Sequence, residues 1–124
     1  MANPNITAVT AIYGKTAYAI PANTTANVLL ANAALSGKVL KINQIVAANV
    51  DGTNAVDVTV AINSAAAGSG TSYPLVSTVS VPADASLIVT DKTTAIYLEE
   101  DKSIVVTSGT ASKISYTISY EEIA

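Results

Sequence analysis

The sequence contains no cysteine, histidine, arginine, tryptophan or phenylalanine. Without cysteine the chain can form no disulfide bond, no thiolate zinc site and no cysteine nucleophile. Without histidine it lacks the commonest general base near neutral pH, the commonest metal ligand and the basis of a Ser-His-Asp arrangement. We therefore expect a protein that is not an enzyme and that holds no metal ion and no cofactor.

Charged residues are also scarce. They make up 12% of the 124 residues, well below the roughly 25% that is usual for soluble domains. Nine acidic residues against six lysines give a formal net charge of -3, and the lysines are spread along the chain at positions 15, 38, 41, 92, 102 and 113. Because nucleic-acid binding needs a basic patch that neutralises phosphates, we expect no nucleic-acid partner.

A surface so poor in charge has two explanations that the sequence leaves open. Interface cores are depleted of Lys, Glu and Asp, as expected for a subunit of an assembly, whereas β-rich proteins also place many Ser and Thr residues outside. The opening "MANPNITAVT" lacks the basic and apolar segments of a secretory signal. No apolar run approaches the ~20 residues of a membrane span, so we expect synthesis in a cytoplasm and no membrane partner.

Short β-branched runs separated by turn residues at intervals of about ten predict the fold. In residues 55–63, for example, Val56, Val58, Val60 and Ile62 alternate with more polar residues. We predict an all-β fold: a single-domain antiparallel β-sandwich of jelly-roll or immunoglobulin-like type. Residues 1–12 would form an N-terminal arm or first strand, and residues 13–124 the sandwich. The predicted runs are 6–14, 16–20, 26–31, 37–49, 55–63, 72–81, 86–90, 95–98, 103–108 and 113–124.

Three segments allow more specific predictions. Residues 25–37 are rich in Ala and Leu and end on Gly37, so a short helix competes there with a strand followed by a loop, which we favour because of the asparagines. The pair Asp51-Gly52 predicts a hairpin joining runs 37–49 and 55–63. The sequence Gly14-Lys15-Thr16 resembles the end of a phosphate loop but has no upstream glycine, so we interpret it as a turn.

Few side chains are candidates for chemistry. The carboxylates of 99–101 and 121–122 are neighbours rather than groups opposed across a cleft, so we interpret them as solvated charges that protect a sheet edge. Residues 49–57 contain hard oxygen ligands but lack the spacing and terminal Glu of an EF-hand, which favours a plain turn. The six tyrosines at 13, 18, 73, 97, 116 and 120 either form a sugar-binding platform or pack their rings against strands.

Several stretches resemble a known family. "MANPNITAVTAIYGKTA", "ANVDGTNAVDVTVAI", "VPADASLIVTDKTTAIYLEEDKSIVVTSG" and "SYEEI" are similar to small virion structural proteins of marine tailed phages, particularly those of cyanobacteria, and these resemble capsid decoration proteins. The resemblance spans nearly the whole chain and implies a structural role on the virion. It implies as partners the major capsid protein or other virion proteins.

From this resemblance we expect a head decoration protein that lies on the outer capsid surface, binds the major capsid protein lattice and acts as a symmetric homo-oligomer. The final strand, with Ile114, Tyr116, Ile118 and Tyr120 two residues apart, is expected to complete the core, with its end at a sheet edge. The partner contacts are expected in the arm and in the last residues: Asn3, Pro4, Asn5, Ile6, Tyr120, Glu121 and Ile123. The alternatives are a neck, tail or fibre subunit, a donor-strand filament subunit, and a carbohydrate-binding module using Tyr18, Tyr73 or Tyr97.

Overall fold

The computed structural model describes residues 4–124. Within them the chain forms nine strands, one 3-10 turn and no α-helix. These residues therefore contain no helix that is long and apolar enough to cross a membrane. The elements are β1 (Ile12–Ala19), β2 (Asn27–Asn32), β3 (Val39–Asn49), β4 (Val56–Asn63), β5 (Ser72–Val81), β6 (Ser86–Thr90), the 3-10 turn (Lys92–Thr94), β7 (Ile96–Leu98), β8 (Lys102–Ser108) and β9 (Ile114–Ile123).

The strands form two antiparallel sheets packed face to face. The first sheet has the order β1-β9-β3-β6, and β7 lies beside β6 along the same edge of β3. The second sheet has the order β2-β8-β4-β5. The prediction of an antiparallel β-sandwich is therefore confirmed.

The strand order also decides between the two sandwich types. Since β6 and β7 pair with successive parts of β3, they act as one strand interrupted by the 3-10 turn. The eight strands counted in this way pair from the outside of the chain inwards: β1 with β9, β2 with β8, β3 with β6 and β7, and β4 with β5. Such nested pairing divided over two sheets is a jelly roll.

The core lies between the two sheets and is built from the alternating positions of the strands. The side chains of Ile114, Tyr116 and Ile118 in β9 are fully buried in it, as the period of two predicts. The Tyr116 hydroxyl forms a 2.8 Å hydrogen bond with the Ser108 hydroxyl and donates to the Thr107 carbonyl at 3.2 Å. Because both partners lie in β8, this hydroxyl links the first sheet to the second across the core.

The first strand differs from the prediction. Residues 4–11 form turns and bends, so the run predicted at 6–14 becomes a strand only from Ile12, the last residue of the segment predicted as an arm or first strand. Gly14-Lys15-Thr16 is not a turn but the middle of β1, paired with β9. The glycine is accommodated because β1 is an exposed edge strand in which no side chain is needed for packing; a Cβ placed at Gly14 would contact nothing within 4 Å.

The predicted hairpin at Asp51-Gly52 is also wrong. Strands β3 and β4 belong to different sheets, and residues 50–55 cross from one sheet to the other. The Asp51 carboxylate accepts hydrogen bonds from the backbone N–H groups of Thr53 at 2.8 Å and Asn54 at 3.1 Å. The Asp51 side chain thus closes a local turn that needs no paired strands. The sequence correctly predicted a turn here but not which strands it joins.

Residues 25–37 form β2 followed by a loop, as favoured over the helix, with Gly37 at a φ of +70°. Strands β2, β3 and β4 each end on a buried asparagine: Asn32, Asn49 and Asn63. The Asn32 side chain donates to the carbonyls of Lys38 at 2.9 Å and Leu98 at 3.0 Å. These amides satisfy backbone groups where each strand leaves its sheet, a role that the sequence analysis did not assign to them.

Candidate binding surface

The beginning and the end of the described chain meet at one end of the first sheet. The Ala124 carbonyl accepts hydrogen bonds from the backbone N–H groups of Thr10 at 2.7 Å and Ala11 at 3.2 Å, and the Ala124 N–H donates to the Ala11 carbonyl at 3.0 Å. The two segments in which partner contacts were predicted are therefore brought together.

Two buried side chains at this end do not belong to the core between the sheets. Val39 and Ile123 lie opposite each other in β3 and β9 and are only 3% and 5% exposed. Since Leu40 and Tyr120 face the core, the alternation along each strand places Val39 and Ile123 on the outer face of the first sheet. Something on that outer face must shield them from water.

The N-terminal arm, residues 4–11, lies beside Val39 on this outer face. Pro4 and Ile6 line an open groove of about 210 Å³ together with Val39, Tyr97 and Glu99. In the arm, the Asn5 side-chain oxygen accepts hydrogen bonds from the Thr7 N–H at 3.0 Å and the Thr7 hydroxyl at 2.8 Å. The arm is thus a turn laid across the outer face, and we call the groove that it borders the arm groove.

The arm groove is largely apolar, and parts of its lining are exposed. Ile6 is 52% exposed and Tyr97 is 48% exposed, and the Glu99 side chain adds a negative charge at the rim. Large apolar side chains that remain exposed beside a concave surface are typical of binding sites. Tyrosine, here Tyr97, is also one of the residue types that contribute most binding energy at protein interfaces.

The predicted contact residues fall into two groups. Asn3 lies outside the described residues; Pro4 is half-buried, and Asn5 and Ile6 are exposed, so these three remain accessible. In the other group the prediction needs correction for Ile123, which is buried against its own chain. Tyr120 packs partly against the core and Glu121 lies opposite Gly14 and Lys41, and both are half-buried like Pro4. Tyr97 and Glu99 were not predicted as contacts, because only the fold brings them beside the arm.

The expectation that the last strand ends at a sheet edge is also wrong. β9 lies between β1 and β3 and pairs with both over most of its length. Glu121 and Glu122 therefore do not protect a sheet edge. This central position also removes the open side that β9 would need as a strand donated to another subunit.

Glu122 forms ion pairs with two lysines beside this surface. Its carboxylate lies 2.9 Å from the Lys15 ammonium and 3.1 Å from the Lys38 ammonium. The hydrogen bond from Lys15, and then that from Lys38, lower the pKa of the Glu122 carboxyl below its ordinary value of 4.5. The hydrogen bond to Glu122 in turn raises the pKa of Lys15 above 10.5. These pairs tie β1, β9 and the start of β3 to one another.

This arrangement predicts how stability depends on pH. A carboxyl whose pKa is lowered by folding stabilises the protein above its unfolded pKa and loses that contribution as pH falls through the folded value. We expect Glu122→Gln to lower the unfolding free energy at pH 7, with the difference from the unchanged protein disappearing as pH falls below about 4.5. Urea denaturation of both proteins across pH 3–7 measures this. A difference that stayed constant over that range would contradict the assignment.

No arrangement suited to acid-base chemistry appears in the described residues. Among residues 4–124 no three acidic side chains come together as a metal site would require, and the turn oxygen of Asp51 is occupied by backbone N–H groups. A polar groove of about 510 Å³ contains Asp91 and Lys92, but the Asp91 carboxylate accepts hydrogen bonds from Thr93 within its own turn. The grooves therefore offer binding contacts and no opposed catalytic pair.

The exposed tyrosines do not form a common platform. Tyr18 lies in β1 and Tyr97 in β7, which are separated in the first sheet by β9 and β3, and Tyr73 lies in β5 of the second sheet. Tyr116 and Tyr120 pack into or against the core. Of the two interpretations of the tyrosines, a shared sugar-binding platform therefore has no support in this arrangement.

No protein-family model matches the chain, and no curated protein sequence matches it.

Proposed function

We propose that the protein is a non-enzymatic structural protein of a tailed-phage virion, a head decoration protein that binds the lattice of the major capsid protein. The observation that carries the proposal is the arm groove, where the exposed side chains of Ile6 in the arm and Tyr97 in β7 border a concave, largely apolar surface. The resemblance to marine phage virion proteins and the absence of histidine and cysteine support it. The jelly roll supports it by analogy only, since this fold occurs in viral capsids and also in lectins.

The accessible residues define how the protein would contact the lattice. Ile6 and Tyr97 would enter the interface core, because their exposed apolar surface gains most from burial. Asn5 and Glu99 would lie at the polar rim, where contacts fix orientation more than they add affinity. The exposed β5 tyrosine, Tyr73, lies in the other sheet and would stay outside the interface.

The proposal predicts that the arm is needed for capsid binding but not for folding. A variant lacking residues 2–7 should keep the circular dichroism spectrum of the full chain, since residues 4–7 lie outside all strands. It should no longer sediment with heads of a cyanobacterial tailed phage that lack their decoration protein. Retention of the shortened protein on the heads would contradict the proposal.

Point variants make the same test without changing the length of the chain. Tyr97→Ala should weaken head binding by roughly tenfold or more, the effect expected when a central aromatic contact is lost. Tyr73→Ala removes an equally exposed tyrosine from the second sheet and should leave binding unchanged. Equal effects of the two substitutions would contradict the arm groove as the contact surface.

A further inference from the structure

The outer edge of β1 is open. Within residues 4–124 the only strand that pairs with β1 is β9, and every β1 side chain except that of Ala17 is exposed. An edge strand of this kind presents a row of unpaired backbone N–H and C=O groups, which are complementary to the edge of another strand. The chemistry of this surface therefore selects an extended peptide segment as its partner.

The other three edges carry features that hinder strand addition. The β6 and β7 edge is interrupted by the 3-10 turn. The β2 edge has a bulge between Val28 and Leu30, and β5 has two register shifts, a proline at position 74 and a φ of +52° at Thr78. Bulges, prolines and short strands are the means by which natural sheets avoid edge pairing.

β1 has none of these protective features. Its pairing with β9 continues from Ile12 to Ala19 without a register shift, and it contains no proline. Its one charged side chain, Lys15, is neutralised by the ion pair with Glu122. An uninterrupted edge of eight residues whose single charge is ion-paired is better suited to pairing than the other three edges.

We propose that β1 pairs antiparallel with β1 of a second copy of this chain, so that the two first sheets become one continuous sheet across a two-fold axis. This axis is perpendicular to the sheet, so the outer face of one copy continues into the outer face of the other. Directly opposed residues then lie on the same face and differ by an even number of positions, so the axis passes through a residue position and not between two residues.

One register suits the sequence of β1. With Lys15 on the axis, like charges would oppose each other, which destabilises a pair. With Gly14 or Ala17 on the axis, only part of the strand would pair. With Thr16 on the axis, residues 13–19 all pair, and large residues face small ones: Tyr13 faces Ala19, Tyr18 faces Gly14, and Lys15 faces Ala17.

The first test is the position of disulfide cross-links, which is free of background because the chain has no cysteine. Opposed residues of an antiparallel pair have Cα atoms about 4.5–5.5 Å apart, within the range of about 4.4–6.8 Å that a disulfide spans. Thr16→Cys should therefore give a covalent dimer on mild oxidation. Gly14→Cys and Tyr18→Cys alone should not, because the two copies of each cysteine would be offset by about 13 Å along the strands.

The double variant Gly14→Cys with Tyr18→Cys provides a positive control for the register, since each new cysteine would then face the other across the axis. It should cross-link although neither single variant does. Cross-linking of all three single variants to the same extent, or failure of Thr16→Cys to cross-link, would overturn the proposal.

The second test is the mass in solution by light scattering as a function of protein concentration. We expect a reversible dimer of the 12.5 kDa chain. Thr16→Lys should raise the dimer dissociation constant roughly fivefold or more, because like charges would oppose each other on the axis, while Thr71→Lys, an exposed loop control, should not change it. A monomer at high micromolar concentration, an open-ended polymer, or equal effects of the two substitutions would overturn the proposal.

This inference does not rest on the proposed function. β1 and the arm groove are separate surfaces, so Thr16→Lys should weaken the dimer and still bind phage heads. Conversely, Tyr97→Ala should lose head binding and keep the dimer, which would show that the two surfaces act independently.

Discussion

Replacing Asn63 by alanine is expected to lower the free energy of unfolding by about 2–4 kcal/mol, since it removes four hydrogen bonds from a buried site. The Asn63 amide nitrogen donates to the Gly70 carbonyl at 3.2 Å and the Ser72 hydroxyl at 2.9 Å. Its oxygen accepts from the backbone N–H groups of Ala65 at 3.0 Å and Gly70 at 2.9 Å. One side chain thus holds both ends of the loop that joins β4 to β5.

The effect is large because the lost amide is buried and closes the loop between β4 and β5. Asn63 is 1% exposed, and a buried donor or acceptor without a partner costs about 1–3 kcal/mol. Urea denaturation followed by circular dichroism measures the change. Asn54→Ala, in the exposed loop between β3 and β4, is the matched control and should have little effect; equal losses in the two variants would contradict the role of Asn63.

The positions of the strands could be predicted because their signal is local. The alternation in Val56, Val58 and Val60 and in Ile114, Tyr116 and Ile118 reports which side chains face the core, and all six are buried. The sequence could not predict which strands pair. Asp51-Gly52 has the composition of a hairpin turn, but whether β3 meets β4 depends on the pairing of β3 with β9 and of β4 with β8, strands that lie about forty residues or more further along the chain.

The candidate surface was predictable in the same partial sense. Pro4, Asn5 and Ile6 were predicted as partner contacts because they belong to the N-terminal arm, and all three are accessible. Ile123 was misjudged because a position near the last residue looks like a free end, whereas backbone pairing with β1 and β3 places it at the centre of the sheet. Tyr97 could not be identified from its neighbours in sequence, since Pro4, Ile6 and Val39, which border the arm groove with it, are more than fifty residues away.

Replacing Glu100 by methionine is expected to raise the free energy of unfolding by roughly 1–3 kcal/mol, the cost of burying a polar group without a partner. Glu100 is 8% exposed in the turn between β7 and β8, and neither carboxylate oxygen has a hydrogen-bond partner within residues 4–124. A carboxylate in such a place opposes folding, because water solvates it in the unfolded chain and nothing replaces that solvation in the folded one. Methionine keeps the length of the side chain and removes the group that must be desolvated.

The neighbouring residue supplies the control that separates burial from net charge. Glu99→Met removes the same charge from an exposed position, so any effect of the total charge of the protein appears in both variants. Thermal unfolding at pH 7 should show a higher Tm for Glu100→Met and little change for Glu99→Met. Equal shifts would assign the gain to net charge, and a lower Tm for Glu100→Met would mean that the carboxylate stabilises this turn; either result would contradict the prediction. A higher Tm for Glu100→Met alone would show that the Glu100 carboxylate lowers the stability of the jelly roll.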